Sequence, residues 1–189
     1  MEQSEVQKEL NKFRDYVIKE ARSNLTRNKK NASKELYNSI KGNVKAMPNS
    51  LSIDFEMSLY GQFQDKGVKG KNPRALPKGS KNYGVQKAPN SPFRFGTGSG
   101  QKGGLTKSLD KWIIRKGLAP RDENGKFMSR KTLKFLMARS IYMSGIKPSL
   151  FFTKPFEAAF KRLPDDLIEK FGLDAMNLFM NTQFKNEKK

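Results

Sequence analysis

The chain has 189 residues, with 38 Lys and Arg against 18 Asp and Glu for a formal net charge of +20, and it contains neither cysteine nor histidine. Without cysteine there are no disulfides, thiolate metal sites or thiol catalysis, and without histidine the usual general base and the commonest metal ligand are gone. Carboxylates, lysines, tyrosines and hydroxyls are what remains for chemistry; the length suits one domain with a long excursion, or one and a half small domains, and the hydrophobic content of 35% is below the usual globular level.

Residues 3–28 are predicted to be a helix, because Val6, Leu10, Phe13, Val17, Ala21 and Leu25 recur at spacings of three and four and so share one face. Ser4 is the expected cap, with Glu5 and Glu9 favoured in the first turn by the helix dipole. A second short helix is expected over 33–41, with Leu36, Tyr37 and Ile40 as its apolar side, Ser33 as cap and Gly42 as stop. Residues 50–58 alternate Leu51, Ile53, Phe55 and Met57 with Ser52, Asp54, Glu56 and Ser58, the pattern of a half-buried strand. Asn43 to Met47 is its expected hairpin partner, turning at Pro48-Asn49. Residues 59–66 are expected to make a helical turn ending at Gly67.

Residues 67–104 show neither helix nor strand period and hold 9 of the 15 glycines together with Pro73, Pro77, Pro89 and Pro92. A stretch this long without secondary structure is usually functional or disordered, and a plain linker has no need of Tyr83, Phe93 and Phe95. A helical period returns over 105–117 through Leu105, Leu109, Trp112, Ile113 and Lys116. A polar turn over 119–129 leads to a second helix over 130–145, with Leu133, Leu136, Met137, Ile141 and Met143 inward; Gly145 ends it and Pro148 prevents resumption. Residues 150–153 are expected to form a short strand, followed by helices over 155–162 and 164–180. In the last, Leu167, Ile168, Phe171, Ala175, Leu178 and Phe179 face the core, Pro164 sits in the first turn with Asp165 and Asp166, and the tail frays. There is no internal repeat.

The charge is lopsided. Between Lys66 and Lys131 there are 17 Lys and Arg against 3 acids, whereas residues 1–65 hold 11 against 9 and residues 132–189 hold 10 against 6. Such a surplus bears on partners rather than on fold. Lys66, Lys69, Lys71, Arg74, Lys78, Lys81, Lys87, Arg94 and Lys102 are the candidate surface for a phosphate backbone, and seven lysines to two arginines favour non-specific contact over bidentate base readout. The competing reading is an arm that orders against another subunit, with Tyr83, Phe93 and Phe95 as anchors in a neighbour's pocket.

Other constellations are weaker. The run Gly96-Thr-Gly-Ser-Gly-Gln-Lys-Gly-Gly lacks the Gly-Lys-Ser/Thr of a phosphate loop and has no apolar strand before it. Asp54 and Glu56 share a strand face, with Asp65 close in sequence, but Ser58 stands where a magnesium nuclease wants a lysine, so a solvated face is expected. Trp112 is expected in the core rather than as a stacking platform. No metal, cofactor or catalytic residue is expected. No apolar run approaches the ~20 residues of a membrane span. The polar N-terminus is not a secretory signal, which implies production in a cytoplasm-like compartment.

Two segments carry a resemblance. Leu59-Tyr-Gly-Gln-Phe-Gln-Asp-Lys-Gly67 follows an alternating strand, and Ile146-Lys-Pro-Ser-Leu-Phe-Phe-Thr-Lys-Pro-Phe-Glu-Ala-Ala-Phe160 opens a final helix. In this order the chain resembles bacteriophage tail-completion and head–tail joining (neck) proteins, at Tyr60, Gly61, Phe63, Gly67, Pro148, Phe151, Phe152, Pro155 and Ala159. Gly67-Val68 departs from the family's Gly-Thr, and the basic loop is longer than in simple members. The resemblance implies an α+β fold, a small antiparallel sheet packed by N- and C-terminal helices with a long Gly/Pro/Lys-rich loop insertion. The expected organisation is 1–66 as the first part of the core, 67–104 as the basic arm and 105–189 as the helical remainder of the same core. It further implies a non-enzymatic virion protein of the neck or tail, made in the host cytoplasm. Its expected form is a homo-oligomeric ring, six- or twelve-fold, around the DNA channel. Portal, neck or tail proteins and packaged DNA are the expected partners, and no membrane. The alternative from charge alone is a stand-alone, non-specific nucleic-acid-binding protein.

Overall fold

The stripe of Val6, Leu10, Phe13, Val17, Ala21 and Leu25 is the buried side of one 23-residue helix, α1 (Glu5–Arg27). A computed structural model of the chain describes residues 5–30, 32–47, 50–97, 104–121 and 124–169. After α1 come α2 (Glu35–Ser39), β1 (Lys41–Met47), β2 (Ser50–Glu56), α3 (Leu59–Lys66), β3 (Val68–Lys69) and a 3-10 turn at Pro73–Ala75. Then follow α4 (Gly104–Arg115), α5 (Arg130–Ser144), β4 (Gly145–Ile146) and α6 (Thr153–Phe160). The class is α+β: helices with small antiparallel pairings, β1 with β2 and β3 with β4.

The chain divides into two compact units, the first comprising Met1–Asn28, Glu35–Ser58 and Phe151–Lys189, the second Lys29–Lys34 and Leu59–Leu150. The divisions fall at 28/29, 34/35, 58/59 and 150/151, so residues 59–66, expected with the first part of the core, group with the stretch that follows them. The physical reason lies at the end of α3, where the backbone N–H of Ser149 reaches the carbonyls of Gln64 and Asp65 at 3.1 Å and that of Leu150 reaches Asp65 at 3.0 Å. Those bonds tie α3 to residues 149–150.

In the first unit, β1 and β2 pair from Lys41 opposite Glu56 to Met47 opposite Ser50; Pro48 and Asn49 lie outside the described residues. Alternation works as expected: Ile53 and Phe55 pack on the α1 core with Val44, while Asp54 and Glu56 are exposed. Aromatic rings dominate this core. Phe55 meets Phe152 edge-on at 5.2 Å, and Phe13 meets Phe156 at 5.7 Å and Phe55 at 6.3 Å, arrangements that add to the area they bury. A second cluster joins Ala21, Leu25, Leu36, Ile40 and Phe151.

Helix α2 is shorter than expected because Arg22 terminates it. Its guanidinium donates to the carbonyls of Tyr37 at 3.1 Å and Ile40 at 3.0 Å, satisfying groups a longer helix would use internally. Ile40 is buried as expected, but Gly42 is no stop: it lies in β1 opposite Phe55. The expected strand at 150–153 is absent. Leu150 takes a left-handed turn (φ 50°), Phe151 and Phe152 continue the turn, and α6 starts at Thr153. Helical backbone resumes over 163–169, where Leu163 is buried and Leu167 packs on the core, while Ile168 is exposed. The rest of that expected helix, with Phe171, Ala175, Leu178 and Phe179, lies outside the described residues.

Phe151 has no exposed surface and its carbonyl accepts from Asn24 Nδ2 at 3.3 Å. Phe151→Ala is expected to destabilise the chain by ~3–5 kcal/mol. Urea unfolding followed by far-ultraviolet circular dichroism checks this, and a loss under 1 kcal/mol would contradict the assigned core.

Candidate nucleic-acid interface

The second unit is built around a close crossing of backbones. Gly67 (φ 72°) ends α3 and Gly145 (φ 90°) ends α5, both in a conformation that side chains rarely adopt. Between them, Val68 pairs with Ile146 and Lys69 with Gly145. A Cβ on Gly67 would strike the Ile146 carbonyl, and one on Gly145 would strike the Val68 carbonyl. Two stretches nearly eighty residues apart therefore touch backbone to backbone.

The period-free stretch is fastened to this crossing by hydrogen bonds. Lys69 N–H donates to the Phe93 carbonyl at 2.7 Å and Phe95 N–H to the Lys69 carbonyl at 2.9 Å, so Arg94 lies beside β3. The Gln86 amide accepts from Gly70 N–H at 2.6 Å and donates to the Gly70 carbonyl at 3.0 Å, doing with one side chain what a neighbouring strand would do. Lys71 and Lys87 donate backbone N–H groups to the carbonyls of Tyr142 and Ser144 at the end of α5, Ser91 Oγ donates to Gly67, and Asn82 Nδ2 to Ser140 Oγ. Only β3 and the 3-10 turn are regular within 67–97; the rest is turns and bends.

Of the candidate cations, Lys66, Lys71, Arg74, Lys78, Lys81 and Arg94 are exposed and Lys69 and Lys87 are half-buried; Lys102 lies outside the described residues. The pairing of β3 with residue 94 brings Lys69 and Arg94 together, and the Lys71 ammonium sits 5.9 Å from the centre of the Tyr142 ring. Tyr83 is partly exposed, whereas Phe93 packs edge-on against Phe63 at 4.8 Å and Phe95 against Tyr142 at 5.5 Å. Phe93 and Phe95 are thus engaged inside the unit. Gln86, Ser91 and Tyr142 organise the site but stand out in no sequence pattern, because their partners are backbone atoms or a ring far along the chain.

The resemblance motif is split. Tyr60, Gly61 and Phe63 sit on α3 beside Gly67, and Pro148 lies against Gly67. The hydroxyl of Ser149 completes that junction, donating to the Gln64 carbonyl at 2.7 Å. Phe151, Phe152, Pro155 and Ala159 belong to the other unit's core. The Tyr60 hydroxyl donates to Gln64 Oε1 at 3.0 Å, and burial raises its pKa although half of the residue is exposed.

Division by unit sharpens the charge asymmetry. The second unit holds 23 Lys and Arg against 4 acids, a surplus of 19, and the first holds 15 against 14, a surplus of 1. Of the four acids, the two in the described residues do little to offset this at the surface. Asp65 is buried, Asp110 is paired with Lys134 at 3.3 Å, and Asp122 and Glu123 lie outside the described residues. Further cations come from α4 and α5 and from Lys29, Lys30 and Lys34, which the arm-centred reading passed over. Trp112, expected in the core, is 36% exposed on α4, where Leu109 and Ile113 are buried instead; on α5, Leu136 is exposed and Ala138 buried.

Among the described residues no group of three or more Asp or Glu is placed to hold a metal ion, and no helix is long and apolar enough to cross a membrane. Asp54 and Glu56 are exposed on β2, and Asp65 is buried in the other unit. Comparison with protein-family models, with curated proteins and with solved structures finds no match to this chain.

Burial lowers the pKa of Lys87, and the neighbouring charge of Lys30 lowers it further. The folded state therefore holds the Lys87 proton less tightly than the unfolded state, so stability rises with pH from the lowered folded value up to the ordinary lysine range near ~10.4. Lys87→Met is expected to raise Tm at pH 7, with the advantage shrinking as pH climbs towards that range. Thermal unfolding from pH 7 to 10.5 tests this; equal Tm values throughout would contradict it.

Proposed function

We propose that the protein is a non-catalytic structural subunit of a bacteriophage neck or tail, part of an oligomeric ring at the head–tail junction that turns its basic unit towards DNA. The observation that carries this reading is the concentration of 19 surplus positive charges in one compact unit while the other is nearly neutral. A ring around a DNA channel needs a surface that attracts phosphate without reading sequence, so that DNA can move past it, and diffuse lysine charge meets that need. The two segments that carry the resemblance support it from a second side, since Gly61–Gly67 and Pro148–Ser149 meet at one hydrogen-bonded junction. In assembled particles the protein is expected at the neck in a fixed copy number, seen as ring density by electron cryomicroscopy. Particles that lack it, or that carry it as a scattered monomer away from the neck, would overturn the assignment.

The same charge segregation supports a second reading, a stand-alone protein that binds nucleic acid without sequence preference. Both readings expect the isolated chain to bind duplex DNA at low salt. The logarithm of affinity should fall with the logarithm of salt by roughly 0.7–0.9 per phosphate neutralised. The triple variant Lys69→Glu, Lys71→Glu, Arg94→Glu should flatten that slope and weaken binding at least tenfold. Normal binding in the variant would move the DNA-facing surface elsewhere on the unit. Assembly into particles then separates the two readings.

A further inference from the structure

The hairpin of α4 and α5 carries a surface that phosphate contact leaves unexplained. Ile113 and Ile114 from α4, Leu118, Phe127 and Met128 from the connection, and Leu133 from α5 line an open groove of about 420 Å³. Ile114 and Phe127 are each 60% exposed and Leu118 is 40% exposed, so the groove presents unpaired apolar side chains to water. Contiguous exposed apolar surface of this kind marks a place where something docks.

Its rim is cationic. Arg130 lines the groove, and Arg115 and Lys116 are exposed at the end of α4. Arg121 is held over the Phe127 ring at 4.0 Å, with its guanidinium donating to the Gly125 carbonyl. Residues 104–134 hold nine Lys and Arg against three acids, even with Asp122 and Glu123 counted. Asp110 is occupied by Lys134.

We propose that this groove docks an acidic amphipathic helix of a partner protein, its apolar stripe on Ile114, Leu118 and Phe127 and its carboxylates on the cationic rim. Two helices with an open apolar seam accept a third through anchors at i, i+3, i+4 and i+7, and Arg130 in the lining and Arg121 over Phe127 select acidic flanks. Nucleic acid fits the floor poorly, because Ile113, Ile114, Leu118, Met128 and Leu133 offer neither hydrogen bonds nor a stacking plane, and the one ring in the lining, Phe127, already has the Arg121 guanidinium over it at 4.0 Å. A second copy docking through the same groove would set like charges against each other. The inference concerns a different surface from the one around β3 and stands whether or not that surface meets DNA.

The test uses the full chain and a labelled synthetic 16-residue peptide with Leu at i, i+3, i+4 and i+7 of each repeat and Glu elsewhere. A scrambled peptide of the same composition is the control. At ~0.15 M salt, fluorescence anisotropy should show saturable binding of the amphipathic peptide and at least tenfold weaker binding of the scrambled one. Ile114→Glu and Phe127→Ser should each weaken binding at least tenfold, while Phe135→Ser, an exposed residue of α5 outside the groove lining, should leave it unchanged. Circular dichroism confirms that the variants fold. No binding, equal binding of the scrambled peptide, or equal loss with Phe135→Ser would overturn the proposal. So would loss of duplex DNA binding in Ile114→Glu, which would assign the groove to nucleic acid. A self-associated species in light scattering that Ile114→Glu dissolves would assign it instead to a second copy.

Discussion

Everything in the basic unit depends on the close crossing of Gly67–Lys69 over Gly145–Ile146. Two backbones come together there because two glycines adopt positive φ and offer no Cβ to the facing carbonyls. A connection of this length is costly to close, though the cost grows slowly with length. Once closed, it gives residues 67–97 a fixed object to bond to: β3 takes Phe93 and Phe95 on its free side, and the end of α5 takes Lys71 and Lys87. A segment without a hydrophobic period is thus held by its backbone and by Gln86, and the cations it carries inherit that geometry.

The unit holds its surplus of 19 charges by keeping most of them at the surface. Six of the nine candidate cations are exposed to water, where the high dielectric and salt screen their mutual repulsion. Lys69 and Lys87 are half-buried, and at Lys87 burial and the nearby Lys30 charge lower the pKa, the cost of that placement. In the first unit opposing charges are near balance, and its stability comes from the ring cluster of Phe13, Phe55, Phe152 and Phe156. Charge is therefore segregated between the units: one is near balance around its aromatic core, and the other, with Val68, Leu109 and Ile113 buried, exposes a field that another molecule can neutralise.

Where a single face is buried, the sequence was readable. The α1 stripe and the alternation in β2 each bury one continuous face, so their periods survive intact. The signal failed where side chains act on backbone groups or where the local pattern competes with a turn. Arg22 ends α2 from fifteen residues away, and no local pattern announces it. The apolar run at Leu150 to Thr153 reads as a strand, yet the left-handed Leu150 turns the chain and sends Phe151 and Phe152 into the aromatic core. Unit boundaries were invisible for a related reason: the division at 150/151 falls inside one continuous motif and that at 58/59 where an expected strand runs straight into an expected helical turn, while the bonds from residues 149–150 hold α3 in the second unit. The basic surface was legible as composition, but its extent was not, because the cations of α4, α5 and residues 29–34 join it only in three dimensions.

Trp112 and its neighbours show how the two faces of the basic unit differ in physical demand. Helical periodicity assigned Trp112 to a core, but α4 is amphipathic over a narrow arc, with Leu109 and Ile113 spanning the buried side. Of the apolar residues left outside that arc, Ile114 lines the groove with Leu118 and Phe127, whereas Trp112 does not. A phosphate-facing surface gains nothing from such side chains, since counterion release depends on charge alone. Burying them gains roughly 25 cal/mol per Å² of apolar area, a term that weakly screening salt does not remove. The surface around β3 and the groove of the α4–α5 hairpin are therefore expected to differ in their dependence on ionic strength. Contacts at the first weaken as salt rises, while the apolar part of any contact in the groove persists. Both kinds of surface lie on one unit, so a contact made through both would lose only its ionic part as salt rises.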